Sequence, residues 1–287
     1  MFESLSQAWA RTLHRTLATP PGRLPDHLYQ RGRPLILAHR GARMVLAENT
    51  MGAFMLGMEQ GADGVELDVH LTRDRKVVVF HDDDLGRVGR KDLLTRNVTY
   101  EELRACNLAS LVKNGPPQAG RVHAPLLEEV LTTLPAHAVI NVELKGNHAA
   151  PDGLEVEVLR TVARAGAESR VLYSSFNPLR CMRLRRMAPD AVVGLLHESG
   201  SAAHLRDLWW LPLIHPQAVH PESVLCTAEY VQHARSLGLA IHVWTVNDPS
   251  EMVRLTQLGV DALITDVADV AVKLLRSDAD TPRHEAR

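Results

Sequence analysis

Short apolar runs alternate with amphipathic stretches along the chain from residue 34 onward. The apolar runs are rich in Val, Ile and Leu and carry little polar alternation, which is typical of strands buried on both faces. Nine runs fit this description: Leu35–His39, Gly64–Thr72, Lys76–His81, Ala138–Lys145, Arg170–Phe176, Ala191–His197, Gln217–Pro221, Leu239–Val246 and Ala262–Thr265. Helical patterns separate most of them, for example at Thr50–Gln60, Leu154–Ala165, Pro178–Met187, Thr227–Leu237 and Pro249–Leu258. This alternation predicts an α/β fold with a parallel sheet covered by helices.

The second and third strands are too close in sequence to be parallel. Only residues 73–75 separate them, whereas a parallel crossover needs about a dozen residues or more. We therefore expect an antiparallel hairpin that brings His81 back beside Glu66 and Asp68. Eight parallel strands remain, and they predict a TIM (β/α)8 barrel. An open doubly wound sheet is the alternative, but no G-x-G-x-x-G motif follows the first strand.

The predicted barrel occupies residues 34–276, because no internal repeat or low-complexity linker divides this region. Residues 82–124 lack strong periodicity and are interpreted as a small insertion after the hairpin at the second strand. A long loop at such a place usually acts as a lid or a specificity element. Residues 277–287 form a polar tail.

The segment 1–33 is predicted to contain a short amphipathic helix and a linker. Leu5, Trp9, Leu13 and Leu17 recur every fourth residue, and two prolines end the pattern. We interpret this helix as docked on the barrel, and a weak contact with a membrane surface is the alternative. No apolar run approaches the roughly 18 residues of a membrane span, and the apolar core of a secretory signal is missing.

Composition excludes several classes of protein. A hydrophobic content of 45% and a charged content of 23% indicate a folded chain, and a net charge of -2 gives no argument for nucleic-acid binding. Three cysteines without a C-x-x-C motif disfavour a disulfide framework or a zinc ribbon. They favour a reducing compartment, which we take to be the cytoplasm. The oligomeric state is not indicated.

Chemically reactive side chains stand at the ends of several predicted strands, which meet at one mouth of a barrel. They are His39, Arg40, Glu66, Asp68, His81, Glu143, Lys145, Trp244, Asn247 and Asp266. Glu66 and Asp68 lie two residues apart, so their side chains point to the same face of the strand. Together with Glu143 they form an all-oxygen set that suits Mg²⁺ or Ca²⁺. Neighbouring carboxylates raise each other's pKa unless a cation intervenes, which also favours a metal.

The other residues of this set suit chemistry on an anion. Arg40 and Lys145 supply positive charge, and His39 and His81 suit proton transfer near neutral pH. Phosphoester cleavage needs a metal, positive charge for the phosphate and groups that transfer protons. The three carboxylates, the two cations and the two histidines meet these needs in turn.

Simpler structural roles stay open at this point. Glu66 and Asp68 could pair with Arg73 or Lys76. Glu143 and Lys145 could form an internal ion pair. The aromatic ring of Trp244 could belong to the core.

The motifs that carry these residues resemble those of the glycerophosphodiester phosphodiesterase family, in the family's order over roughly residues 35 to 275. They are His39-Arg40-Gly41, Ala47-Glu48-Asn49-Thr50, Gly61-Ala62-Asp63, Glu66-Leu67-Asp68-Val69, Thr72-Arg73-Asp74, Val78-Val79-Phe80-His81-Asp82, Leu127–Leu131, Glu143–Lys145, Ser175-Phe176, Trp244–Asn247 and Thr265-Asp266. The resemblance implies a TIM barrel that hydrolyses a small-molecule glycerophosphodiester to sn-glycerol 3-phosphate and an alcohol, with a divalent cation.

The resemblance also implies a role for each residue that matches the family's motifs. His39 and His81 would be the catalytic acid–base pair. Glu66, Asp68 and Glu143 would be the metal ligands. Arg40 and Lys145 would contact the phosphate, and Trp244 would line the glycerol subsite.

Three positions depart from the family's pattern. Ala47 stands where the family usually has proline, and Arg75 replaces the glycine common in the hairpin turn, which predicts a different turn type. The segment Val88-Gly89-Arg90 replaces the usual Thr-Thr-Gly. Because this segment lies in the insertion, which is expected to overhang the site, the preferred head group stays open.

Other functions on the same fold are weighed against this one. A phospholipase D-like or C-like activity on a lysophospholipid would need an apolar entrance, to which Leu108, Leu111 and Val112 could contribute. A non-catalytic barrel that binds phosphodiesters would be expected to lack part of the residue set, and a sugar-phosphate isomerase would not explain three acids beside two histidines. Three alternatives within the leading function also stay open: Mg²⁺ or Ca²⁺, which histidine is the acid, and direct attack by water or a cyclic phosphate intermediate.

Overall fold

Eight parallel strands close into a barrel in the computed structural model, which describes residues 32–113 and 117–276. The strands of this described part are β1 (Leu35–His39), β2 (Gly64–Leu71), β3 (Val77–Val79), β4 (Asp84–Leu85), β5 (Arg90–Leu94), β6 (Val139–Leu144), β7 (Val171–Ser175), β8 (Val192–His197), β9 (Ala218–Pro221), β10 (Ala240–Val243) and β11 (Ala262–Thr265). The barrel runs β1-β2-β6-β7-β8-β9-β10-β11, and β1 closes it by pairing with both β2 and β11. The predicted TIM barrel is confirmed.

Helices cover the outside of the barrel. The α-helices of the described residues are α1 (Met51–Glu59), α2 (Tyr100–Arg104), which belongs to the insertion, α3 (Leu127–Thr133), α4 (Leu154–Arg164), α5 (Pro178–Met187), α6 (Ala203–Arg206), α7 (Leu211–Ile214), α8 (Ala228–Ser236), α9 (Pro249–Leu258) and α10 (Ala268–Leu275). Side chains of Thr50, Asn177, Thr227 and Asp248 accept backbone N–H bonds at the starts of α1, α5, α8 and α9. These caps satisfy backbone N–H donors that would otherwise lack partners in the first turn. Each of these four helices therefore begins at the residue after its cap.

The hairpin after β2 forms as predicted, with β2 and β3 antiparallel. The strand β3 is shorter than the predicted run because only Val77–Val79 pair within it. Arg75 in the turn has a left-handed φ of 60°, and its guanidinium binds Glu157 at 3.0 Å. The conformation that favours glycine is therefore retained at Arg75, and the expected change of turn type is not supported.

Residues 82–124 are a folded subdomain rather than a long loop, as far as the chain there is described. The segment contains the β4–β5 hairpin and the helix α2. Its own apolar cluster packs against β3 and consists of Ala47, Val78, Phe80, Leu85, Val98, Leu103, Cys106, Leu108, Leu111 and Ala124. Leu108 and Leu111 are buried in this cluster, so they do not form the apolar entrance considered for a lipid substrate.

The barrel interior changes from apolar to polar along its axis. The lower layer contains Leu35, Leu37, Val139, Leu172, Val192, Ala218, Ala240, Ala262 and Ile264. The next inward positions toward the strand carboxyl ends include Asn141, Ser174, His220 and His242, which are all buried. This gradient leaves polar and charged side chains at the carboxyl mouth, where TIM barrels carry their chemistry.

Two predicted segments, the amphipathic helix within residues 1–33 and the tail 277–287, lie outside the described residues apart from residues 32 and 33. None of the helices described is long and apolar enough to cross a membrane. Cys106, Cys181 and Cys226 are free thiols and are buried.

Three buried histidines near the ends of β8, β9 and β10 make stability depend on pH. Burial lowers the pKa of His197 to about 4 and that of His242 to about 3, and it also lowers that of His220. Because an unfolded histidine has a pKa of about 6.5, the unfolded chain binds more protons than the folded chain below that pH. The contribution of these residues to stability is therefore lost as the pH falls below 6.5.

We expect His197→Gln to weaken this pH dependence. His197 is hydrogen-bonded to the Tyr230 hydroxyl at 3.0 Å, which glutamine can also reach. Between pH 6.5 and 5, the slope of the unfolding free energy against pH should fall by about 1 kcal/mol per pH unit. Urea denaturation over this pH range measures the slope. The exposed His123, changed to Gln, is the control that leaves it unchanged, and an unaltered slope in His197→Gln would contradict the expectation.

Candidate active site

The turn after β1 directs two predicted site residues into the barrel mouth. Arg40 has a φ of 55°, and Gly41 follows with a φ of 80°. A Cβ atom on Gly41 would lie 2.5 Å from the carbonyl carbon of Ala53, so only glycine fits there. The packing of α1 against this turn therefore holds Arg40 in a conformation that a non-glycine residue adopts only at an energetic cost.

Three carboxylates meet at the mouth, as predicted. Glu66 and Asp68 on β2 and Glu143 on β6 are buried, and each offers an oxygen atom within 4.8 Å of the others. Lys145 binds the Glu143 carboxylate at 2.8 Å and the Asp68 carboxylate at 3.3 Å. Nε of Arg40 lies 3.1 Å from Asp68. The acids thus form one cluster with the two predicted phosphate-binding cations.

The geometry decides between the structural pairings that the sequence left open. Arg73 binds Glu102 at 3.2 Å, so its charge is used outside the mouth. The ion pair between Glu143 and Lys145 does form. It is shared with Asp68, and it therefore belongs to the cluster rather than replacing it.

Burial and mutual repulsion shift the acid pKa values in different directions. Burial, together with the charges of Asp68 and Glu143, raises the pKa of Glu66 well above its usual value. Burial raises the pKa of Glu143 by more than Lys145 lowers it. The pKa of Asp68 falls despite burial, because Arg40 and Lys145 stabilise its charge. Two cations therefore do not neutralise three acids, and an additional cation fits the cluster.

His39 is oriented by a carboxylate at the end of β11. Its Nδ1 lies 2.7 Å from Oδ1 of Asp266, and its Nε2 lies 3.8 Å from Oε2 of Glu66. The second oxygen of Asp266 accepts from the Asn247 amide at 2.8 Å. Burial lowers the pKa of His39 to about 4 against the opposing effect of Asp266. His39 therefore has one ring nitrogen held by Asp266, and its Nε2 faces the acid cluster.

His81 has a matching arrangement on the other side of the mouth. Its Nδ1 lies 2.7 Å from Oδ1 of Asp82, and Arg87 donates to the same carboxylate at 2.5 and 2.9 Å. The ring of His70 donates through Nε2 to the carbonyl oxygen of His81 at 3.2 Å. Each of the two predicted catalytic histidines thus has one ring nitrogen fixed by an aspartate.

A cavity of about 420 Å³ opens beside His81. Its lining includes His81, Asp82, Asp83, Asp84, Arg87, Glu143, Lys145, Gly146, Asn147, Ser175 and Phe176. The ring of Trp244 meets that of Phe176 edge to face, with 5.4 Å between centroids, and its Nε1 donates to the carbonyl oxygen of His220 at 2.8 Å. Trp244 is therefore at the mouth, next to an aromatic residue that lines the cavity.

Several residues of the site carry no assigned role in the sequence analysis. Glu48 binds Arg40 at 3.2 Å and Arg87 at 2.6 Å, and the Asn49 amide donates to Asp68 at 2.8 Å. Both stand in a motif that resembles the family's, which is a signal that was present in the sequence. Lys113, which binds Asp266, had no such signal because it belongs to the insertion.

Comparison with known proteins identifies the family of the chain. The model of the glycerophosphoryl diester phosphodiesterase family matches residues 39–270. The chain belongs to this family. A glycerophosphodiester phosphodiesterase of Caldanaerobacter subterraneus is 32% identical over 246 residues, which are 85% of this chain and 98% of the relative. A second one, from Bacillus altitudinis, is 34% identical over 243 residues, 83% of this chain and 97% of the relative.

Solved structures show the same fold. The glycerophosphodiester phosphodiesterase of Thermotoga maritima superposes with a TM-score of 0.66 at 28% identity, covering 84% of this chain and 98% of that one. A phosphodiesterase of Oleispira antarctica, solved with its product sn-glycerol 3-phosphate, has a TM-score of 0.69 at 25% identity and covers 84% and 96%. Membership of the family makes this chain a phosphoric diester hydrolase.

The acid cluster predicts that a divalent cation stabilises the protein. At a concentration about 100 times its Kd, a cation that binds only the folded chain should raise the Tm by about 5 °C. Thermal denaturation of EDTA-treated protein with added Mg²⁺ or Ca²⁺ measures this shift. Asp68→Asn should abolish the shift, whereas the exposed Asp92, changed to Asn, should preserve it. An equal shift in Asp68→Asn would place the binding elsewhere.

Proposed function

We propose that this hydrolase cleaves glycerophosphodiesters to sn-glycerol 3-phosphate and an alcohol, with His39 and His81 as the proton-transfer pair. The observation that carries the proposal is the pairing of each histidine with its own aspartate beside one acid cluster, where His39 lies near Glu66 and His81 lines a cavity with Glu143. A small-molecule diester is favoured by the relative solved with sn-glycerol 3-phosphate, and the cavity of about 420 Å³ is large enough for one.

A divalent cation fits the residues present. Glu66, Asp68 and Glu143 would hold it, because hard cations prefer oxygen ligands and the cluster carries more negative than positive charge. When bound, the cation supplies positive charge that neutralises the phosphoryl oxygens. Both Mg²⁺ and Ca²⁺ satisfy this donor chemistry.

Arg40 and Lys145 are suited to hold the phosphate. Both lie against the acid cluster and stay protonated, because neighbouring carboxylates raise the pKa of each above its usual value despite burial. The planar guanidinium of Arg40, of which Nε faces Asp68 and Nη1 faces Glu48, would offer its remaining N–H groups to the phosphate, while the Lys145 ammonium would act as a compact charge. With the divalent cation also bound, they would offset the negative charge that a diester brings into the mouth.

The two histidines would move the protons. Each donates through Nδ1 to an aspartate, which fixes the tautomer, leaves Nε2 as an acceptor and stabilises the imidazolium once formed. One histidine then takes a proton from the attacking hydroxyl while the other, in its protonated form, donates one to the leaving alkoxide. Both histidine–aspartate pairs, His39–Asp266 and His81–Asp82, are suited to act as the acid or as the base. The attacking hydroxyl is that of water, or that of the substrate's own glycerol in a route through a cyclic phosphate.

Trp244 and Phe176 would form the wall of the glycerol subsite. Their edge-to-face contact gives a rigid apolar surface for the carbon atoms of glycerol. We also assign the enzyme to a reducing compartment, the cytoplasm, because all three cysteines are free and buried.

Replacing either histidine is expected to remove most of the activity. His39→Ala and His81→Ala should each lower kcat by about 10²–10⁴-fold, the usual contribution of a positioned acid or base. Release of sn-glycerol 3-phosphate from glycerophosphocholine measures the effect. His123→Ala, at an exposed position of the insertion, should keep the unmodified rate. Wild-type turnover in both active-site variants would contradict the proposed mechanism.

A substrate panel separates this function from the others considered. Glycerophosphocholine, glycerophosphoethanolamine and glycerophosphoglycerol should release sn-glycerol 3-phosphate, while a lysophospholipid should not be preferred. Turnover of the lysophospholipid alone would indicate a lipid-directed enzyme instead. Binding without turnover on the whole panel would indicate a non-catalytic barrel.

A further inference from the structure

The insertion is joined to the β1–α1 loop by hydrogen bonds at three places. The Glu48 N–H donates to the carbonyl oxygen of Leu111 at 3.1 Å, and the Lys113 N–H donates to that of Arg43 at 2.9 Å. The Ala47 N–H donates to Oε1 of Gln118 at 3.1 Å, a bond that proline at this position could not make. The insertion therefore docks against the segment that carries Arg40, Glu48 and Asn49.

This docking brings the Lys113 ammonium to the aspartate that orients His39. Lys113 binds Oδ2 of Asp266, while His39 binds Oδ1 of the same carboxylate. The Asn247 amide shares Oδ2 with Lys113 at 2.8 Å. The Asp266 side chain is fully buried, whereas that of Lys113 is 34% exposed. Lys113 thus extends from the insertion to the His39–Asp266 pair and binds its carboxylate.

We propose that Lys113 is a positioning residue for the hydrolysis, which acts on His39 through Asp266. This inference rests on the proposed function of His39. A carboxylate bound at both oxygens has little freedom to rotate, so His39 is held with its Nε2 toward Glu66 and the reacting phosphate. The insertion thereby contributes a residue to the catalytic mouth instead of only overhanging it.

A direct contact between Lys113 and the substrate is the competing interpretation. The Lys113 ammonium already binds Asp266, the carboxylate that holds His39. A contact with substrate would require that bond to break. The arrangement therefore favours action through Asp266.

The experiment compares Lys113→Met with Lys113→Arg on glycerophosphocholine. Loss of a partner that orients a metal-binding side chain typically costs 10–100-fold in affinity or activity, and by analogy we expect Lys113→Met to lower kcat by about 10-fold or more. KM should change less than about twofold, because no substrate contact is lost. Lys113→Arg should recover most of kcat, since arginine can also donate to Oδ2. Lys91→Met, at an exposed lysine of the same insertion, is the matched control with unchanged kinetics.

A double-mutant cycle tests the route of action. If Lys113 works through Asp266, Lys113→Met should cost little on the background of Asp266→Asn, where the carboxylate is already lost. Independent losses that multiply, or an effect confined to KM, would overturn the inference and indicate a substrate contact. Wild-type kinetics in Lys113→Met would overturn it as well. Circular dichroism and Tm of each variant establish that the fold is kept.

The histidine variants distinguish a failure of the proposed function from a failure of the inference about Lys113. Full activity of His39→Ala and His81→Ala would refute the proposed mechanism together with this inference. Loss of activity in those two variants with an unaffected Lys113→Met would leave the mechanism intact and refute the inference alone.

Discussion

The barrel mouth depends on one electrostatic constraint, the burial of three carboxylates within 4.8 Å of one another. Such a cluster is unfavourable unless cations neutralise it. Arg40 and Lys145 do so in part by binding Asp68 from two sides. The remaining negative charge creates the place for a divalent ion and, once that ion is bound, for an anionic substrate. The left-handed turn at Arg40 and the close fit of Gly41 against α1 hold one of these cations at the mouth.

Around this cluster the two sides of the mouth are built alike but from different parts of the chain. His39 and Asp266 come from the first and last barrel strands, which closure makes neighbours. His81 and Asp82 come from the hairpin that extends β2. Glu48 joins the sides, because it binds both Arg40 and Arg87. Closure of the barrel and formation of the hairpin are therefore both needed before the two histidines face one site.

The barrel and the residues at its mouth could be predicted from the sequence, because both depend on simple physical constraints. Unbroken Val, Ile and Leu runs identify strands buried on both faces, and a gap of three residues between two such runs requires a hairpin. The strand ends then lie at one mouth of the barrel. The residues placed there from the sequence are His39, Glu66, Asp68, His81, Glu143 and Lys145. Pairing partners could not be predicted in the same way. That Asp266 receives both His39 and Lys113 depends on side-chain packing across more than 150 residues of chain.

The insertion shows the limit of periodicity most clearly. Its strands are two and five residues long and its helix has five residues, too short for a periodic pattern to be recognised. Its order comes instead from an apolar cluster with β3 and from hydrogen bonds to the β1–α1 loop. Ala47 illustrates this, because alanine has a backbone N–H that proline lacks, and this N–H donates to the side chain of Gln118.

The most direct test of the proposed metal-dependent hydrolysis is a titration of EDTA-treated enzyme with Mg²⁺ or Ca²⁺ while sn-glycerol 3-phosphate release from a glycerophosphodiester is followed. If the acid cluster holds a cation that hydrolysis needs, turnover will be lost in EDTA and restored by the cation. Undiminished turnover in EDTA would show that hydrolysis does not need the cation.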